Sequence, residues 1–200
     1  SGFLALASSN LPEPAIIDGT EHFNTVLYTG NGSSRSITEV GFSPDWIWFK
    51  ARSAAIAHLF FDSVRGATKY LQVNSTSAEG TGADSQTSFD SDGFSLGADT
   101  STTGVNKNST TYVAWNWKAG TTASGSEVGN NPAFSSSSNA DAGFSIVSYT
   151  GTGSAGTVSH GCGSKPTMII IKNRDQADNW AVYHAGTASD PETDYMILNT

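Results

Sequence analysis

Residues 23–32 read FNTVLYTGNG, and residues 144–153 read FSIVSYTGTG. Each phrase alternates bulky and small or polar residues with a period of two and then breaks into a glycine-rich turn. That is the pattern of a half-buried strand running into a hairpin or loop. The likeness continues outward from these phrases. Phe23, Tyr28, Thr29, Gly30 and Gly32 align with Phe144, Tyr149, Thr150, Gly151 and Gly153. After one inserted residue, Gly41, Pro44, Ile47, Lys50 and Arg52 meet Gly163, Pro166, Ile169, Lys172 and Arg174, and further on Tyr70 and Asn74 meet Tyr195 and Asn199. Aromatic, glycine, proline and basic positions recurring in one order identify an internal repeat of two related units. The second copy runs to DYMILNT (194–200), without counterparts of SDGFSLGAD (91–99) or TYVAWNWKA (111–119). The expectation is that the second unit is truncated and that further chain, or partner chains, would complete its sheet.

Between the two phrases the period-two signal repeats. DWIWFKARS (45–53) places Trp46, Trp48 and Lys50 on one face and Ile47, Phe49 and Ala51 on the other, and AHLFFDSV (57–64) and KYLQVNS (69–75) follow as short segments bounded by turn residues. Such spacing predicts an all-β chain of two tandem β-sandwich or jelly-roll-like units. ARSAAIAHLF (51–60) is the one stretch with helical appeal. The predicted organisation is an extended lead-in over 1–22, a first unit over 23–118, a Ser/Gly-rich linker over 119–140 and the truncated second unit over 141–200. AGTTASGSEVGNNPAFSSSSNA (119–140) reads as a tether because it is nearly free of apolar residues.

Composition narrows the function. The 200 residues carry a net charge of −8, and only 14% are charged. A field of that sign opposes nucleic acid, and no cluster of Lys or Arg offsets it. No apolar stretch approaches membrane-spanning length, so no membrane insertion is expected. The single Cys162 excludes an intrachain disulfide and reads as a half-buried residue of a Gly-flanked turn.

YTGNGSSRSITEVGFSPDWIWFKARS (28–53), LFFDSVRGATKYLQVNSTSAE (59–79), TSFDSDGFSLG (87–97) and TYVAWNWKAG (111–120) resemble a repeated module of tailed-phage tail-fibre and appendage proteins, especially those of marine phages. Residues 143–184 resemble its companion half, and GFLAL (2–6) with NLPEP (10–14) is similar to the end of a SPRY-like β-sandwich. The resemblance implies a non-enzymatic virion structural component that assembles as a homo-oligomer, a trimer. Its expected partners are other virion proteins and a host-surface glycan; it implies no cofactor and no catalytic residue. Two other classes fit the composition: a carbohydrate-binding module of a surface protein or glycoside hydrolase, and a capsid decoration protein.

Candidate chemistry is sparse. Asp90 and Asp92 in FDSDG have the spacing that opens a calcium loop, but an Asp-Gly hairpin turn accounts for the same letters. His22, His58, His160 and His184 lack metal-ligand spacing. His58 and His184 fall in corresponding segments of the repeat, which points to a shared packing role. A polysaccharide depolymerase would need two carboxylates about 5–10 Å apart, and the sequence pairs none of Asp45, Asp62, Asp84, Asp90, Asp92 or Glu79. Trp46 and Trp48 share a strand face, as do Trp115 and Trp117. Each pair is either core or a platform on which a sugar ring stacks.

Overall fold

A computed structural model describes Ile16 and residues 18–100 and 103–199. Most of the expected lead-in therefore lies outside the described residues, as does the SPRY-like resemblance at residues 2–14. The regular part that is described is a 3-10 turn, Gly19–Glu21, in which the Thr20 amide is capped by the Asp18 carboxylate. Among the described residues everything else that is regular is strand, as expected. ARSAAIAHLF forms the end of one strand, an irregular crossing and the start of the next, with no helix.

Six strands form one antiparallel sheet. They are β1 (Phe23–Thr29), β3 (Trp46–Ala51), β4 (Leu59–Asp62), β5 (Lys69–Gln72), β6 (Gly80–Thr81) and β9 (Thr111–Trp117), in the order β1-β9-β3-β4-β5-β6. A second sheet, β2-β8-β7, is built from β2 (Arg35–Ile37), β7 (Gln86–Asp90) and β8 (Gly93–Leu96). The alternation read in the sequence sets what lies between them. Tyr28, Ile47, Phe49, Leu59, Phe61, Tyr112 and Ala114 point from the large sheet, and Ile37, Phe94 and Leu96 point from the small one, into a single apolar core. Phe94 meets Phe49 edge-on at 5.1 Å between ring centroids. Gly93 makes this closure possible. Its φ of 145° suits a residue without a side chain, and a Cβ there would sit 2.1 Å from the Ile37 carbonyl oxygen.

The repeat is visible in the hydrogen-bond ladders. In the first copy Trp46 faces Asp62 and Phe49 faces Leu59, with Phe60 facing Leu71 beyond. In the second, β13 (Met168–Ile171), β14 (Ala181–His184) and β15 (Met196–Ile197) form a three-stranded ribbon in which Met168 faces His184, Ile171 faces Ala181 and Val182 faces Met196. The registers coincide position by position. So do single bonds outside the ladders. Ser63 N–H donates to Asp45 O at 2.8 Å and Ala185 N–H to Thr167 O at 2.8 Å. Val73 N–H donates to His58 O at 2.9 Å and Leu198 N–H to Trp180 O at 3.2 Å. The Asn74 side chain accepts from His58 N–H at 3.1 Å, as Asn199 accepts from Trp180 N–H at 2.8 Å. Two glycine pairs matched in the sequence, Gly32 with Gly153 and Gly41 with Gly163, share left-handed backbones (φ 63°, 73°, 88° and 72°). This register makes His58 the counterpart of Trp180, and His184 the counterpart of Asp62. The expectation that His58 and His184 share one packing role is thereby corrected.

Residues 119–140 also differ from expectation. They hold two strands, β10 (Thr121–Gly125) and β11 (Phe134–Asn139), which pair with β12 (Phe144–Tyr149) in the sheet β10-β11-β12. Ser136, Ser137 and Ser138 are buried. Their hydroxyls find partners at hand: Ser137 Oγ donates to the Asp45 carboxylate at 3.1 Å and accepts from Gly120 N–H at 3.0 Å. Small hydroxyl side chains let a strand lie close to the first unit while meeting their own polar needs. A composition poor in apolar residues here marks tight polar packing, not a tether.

Candidate functional site

Trp46, Trp48, Trp115 and Trp117 lie on one face, the side of the six-stranded sheet turned away from the core. Alternation in β3 and β9 points them the same way, and the antiparallel register sets Trp46 opposite Trp117 and Trp48 opposite Trp115. Phe23 extends the first row across β1, and Phe60 lies opposite Trp48 on β4. Ring centroids are 4.4 Å apart for Trp46 and Trp117, 5.4 Å for Trp48 and Trp115, and 4.5 Å for Trp46 and Phe60.

This face is largely covered from above. Phe144 of β12 stacks on Trp46 at 5.7 Å with an interplanar angle of 22°. Trp180, 3% exposed, meets Phe60 edge-on at 5.4 Å and joins Leu71 and Val73 in a second apolar cluster bordered by Trp46, Trp48, Ile170 and Leu198. The Trp180 indole N–H donates to the carbonyls of Gln72 (3.0 Å) and Ser75 (3.2 Å). Most of the predicted platform is thus the seam between the two repeat copies. Trp46, Trp48, Trp115 and Trp117 are half-buried. Trp48 donates its indole N–H to His58 Nδ1 at 3.3 Å, and burial, with Lys50 nearby, lowers the imidazole's pKa from 6.5 and favours the neutral ring that accepts this bond.

Among the described residues one part of the aromatic face stays open. At its edge lies a groove of roughly 540 Å³ floored by Phe23, Trp117 and Phe144 and walled by Ile16, Gly19, Thr20, His22, Ala142 and Gly143. His22 Nδ1 lies 3.0 Å from Asn139 Nδ2, so that amide fixes the imidazole at the rim. The chemistry offered is flat and apolar with polar edges, which suits a pyranose ring or an apolar side chain. Trp117 is the predicted aromatic that lines it; Trp46, Trp48 and Trp115 do not.

The remaining candidates disperse. Asp90 accepts from Ser88 (2.6 Å) and Ser95 (2.7 Å), whereas Asp92 accepts from the amides of Gly41 (2.7 Å) and Glu39 (3.3 Å). The two carboxylates of the calcium candidate thus serve a two-residue hairpin turn and a neighbouring loop. His160 and His184 each accept from an amide two residues away. Cys162 is half-buried in its turn, and burial raises its thiol pKa, which disfavours the thiolate. Among the described residues no group of three or more His, Cys, Asp or Glu is placed to hold a metal ion.

One cluster escaped the sequence reading. Arg65 is held by Asp62 (2.5 Å) and Glu79 (3.2 Å), and Glu79 also receives Arg174 through two bonds of 2.8 and 3.1 Å. Arg174 reaches Ser148 of β12 at 2.7 Å as well. Burial raises the Glu79 pKa, but the hydrogen bonds and charges of Arg174 and Arg65 outweigh it, so the carboxyl is held below its ordinary value of 4.5. The repeat had marked Arg174 only as a match for Arg52. Its partner Glu79 lies in a loop without a repeat counterpart, so no local signal joins the two. Asp62 and Glu79 are carboxylates brought together, yet each is bound to arginine, and the group works as a clamp between the copies.

These features define an all-β protein of antiparallel sheets with an internally repeated ribbon, a packed aromatic seam and an open aromatic groove. The chain belongs to the family described as a domain of unknown function, DUF7483, which it matches over residues 18–200. No curated protein and no solved structure matches it.

Proposed function

We propose that the chain is a non-catalytic structural module of a virion fibre or surface appendage, which works by association and, at its groove, by contact with a host surface. The observation that carries this reading is the repeated ribbon. Two copies keep one register while their apolar sides meet different surroundings, the design expected of a unit that stacks on like units. The resemblance of residues 28–53 and 143–184 to tail-fibre modules supports it, as does a surface rich in Ser, Thr and Asn that limits nonspecific contact. Gold-labelled antibody to this chain, imaged on purified phage particles, tests the assignment: decoration of fibres or appendages is expected, and unlabelled particles overturn it. Sedimentation tests the assembly. A trimer is expected at micromolar concentration, and a monomer there counts against the fibre reading.

A second reading, glycan binding, is favoured specifically by the groove. Phe23 is 38% exposed at its floor. Phe23→Ala is expected to abolish binding on a glycan array while leaving the circular dichroism spectrum unchanged. Binding that survives the substitution removes the groove from consideration.

A further inference from the structure

The two ribbons have equivalent apolar sides in unlike surroundings. In the first copy, Ile47, Phe49 and Phe61 are between 0% and 1% exposed because β8 lies across them, with Phe94 at 0% and Leu96 at 1%. Their counterparts by register are Ile169, Ile171 and Tyr183. Ile169 is 40% exposed and Ile171 43%, while Ile197 and Tyr195 beside them are 37% and 68% exposed. The opposite side of the same ribbon is already used, since Ile170, Leu198 and Trp180 pack against the first unit. Ladders tell the same story. In the first copy β3 is bonded by β9 on one side and β4 on the other, whereas among the described residues β13 pairs with β14 alone.

We infer that the Ile169–Ile171–Ile197 side of the second ribbon is an acceptor for a polypeptide segment of the β7–β9 type. Such a segment supplies a hairpin with apolar residues at i and i+2, as in Phe94 and Leu96, to lie across the isoleucines. It also supplies a following strand, as in Thr111–Trp117, to hydrogen-bond the free edge of β13. The chain itself shows what covers such a face, because the first copy is the same ribbon with its cover in place. Strand addition satisfies the backbone groups of the edge, and the hairpin removes the apolar side from water. The inference rests on the repeat and stands whether or not the chain belongs to a virion.

The test uses the full chain and a fluorescent synthetic peptide of residues 83–118. Saturable binding by anisotropy is expected, together with slowed hydrogen exchange of the β13 amides when the peptide is bound. Burial of one exposed aliphatic side chain contributes about 1.5 kcal/mol, so Ile171→Asp in the protein, or Phe94→Asp in the peptide, is expected to weaken binding about tenfold or more. Ile171 lies on an exposed side, so its variant keeps the wild-type circular dichroism, which separates lost binding from lost folding. Three results overturn the inference: no saturable binding, binding insensitive to both substitutions, or an oligomer of the chain alone that Ile171→Asp converts to monomer. The last would make a second copy the occupant.

Discussion

The ribbons β3-β4-β5 and β13-β14-β15 share register, capping asparagine and flanking hydrogen bonds, yet Phe49 is 1% exposed and its counterpart Ile171 is 43% exposed. The difference separates two kinds of information. Strand order and register follow from local features: alternation, left-handed glycines and an asparagine that ties off the edge of the ribbon. Burial follows from what is laid on top, and that depends on segments far away in the sequence. The same ribbon can therefore be the wall of a core in one place and an open face in another.

The largest effects should divide the two ribbons. Phe61→Ala opens a cavity under β8 and is expected to cost about 3–5 kcal/mol. Ile171→Ala, on the open side, should cost about 1 kcal/mol or less. Urea unfolding midpoints of the two variants measure the contrast directly. Equal losses would break the comparison, because they would mean that the second ribbon is covered in solution. Trp180→Ala comes next. It removes the buried indole that joins the copies and two hydrogen bonds to Gln72 and Ser75, and about 3 kcal/mol is expected. The loss should fall on the second ribbon first, so hydrogen exchange of β13 to β15 should speed up well before that of β3 and β4. Uniform acceleration would show that the copies open as one unit.

The clamp gives a smaller effect with a pH signature. Glu79→Gln takes the negative partner from Arg65 and Arg174, for an expected loss of about 2 kcal/mol. In the folded chain Glu79 titrates below its ordinary value of 4.5. Below 4.5 the unfolded state therefore takes up a proton that the folded state resists. The carboxylate's contribution is complete above 4.5 and fades as the pH falls through the folded value. Wild type should consequently lose midpoint on acidification more steeply than Glu79→Gln, and parallel curves would remove the clamp as a source of acid sensitivity.

The sequence carried the β class, the repeat and its glycine and asparagine positions because each has a local physical signature. Phe23 and Phe144 announce strands by alternation, and Gly32 and Gly153 announce turns by tolerating positive φ. It did not carry the fate of residues 119–140, because Ser136–Ser138 are buried by hydrogen bonding to Asp45, Ala123 and Thr121, and apolar patterning is blind to that. Nor did it carry the aromatic seam. The pairing of Trp46 with Trp117 is set by β9 inserting between β1 and β3, a placement decided across the whole first unit. Of the candidate site, alternation showed Trp117 only as one of four tryptophans that were either core or platform, and Phe23, Phe144 and His22 became its neighbours only through topology. Ion pairing between Glu79 and Arg174 was equally hidden, since two loops distant in sequence meet there across the seam.

The smallest effect probes the feature the ribbons share most closely. Asn74 and Asn199 each accept an amide proton at the start of the middle strand's edge, from His58 and Trp180 respectively. Asn74→Ala leaves its donor amide near solvent, where water replaces the lost bond, so about 0.5 kcal/mol is expected. Asn199→Ala leaves the Trp180 amide in a half-buried setting and also removes a bond to Asn179 at 3.0 Å, so about 1 kcal/mol is expected. The order of the two losses matters more than their size. It places the better-protected cap on the ribbon whose apolar side is open, because Trp180 fastens that end of the ribbon to the first unit. Paired midpoints for the two variants read it out; a larger loss at Asn74 would show that the cap's worth follows the closed core and owes nothing to the seam.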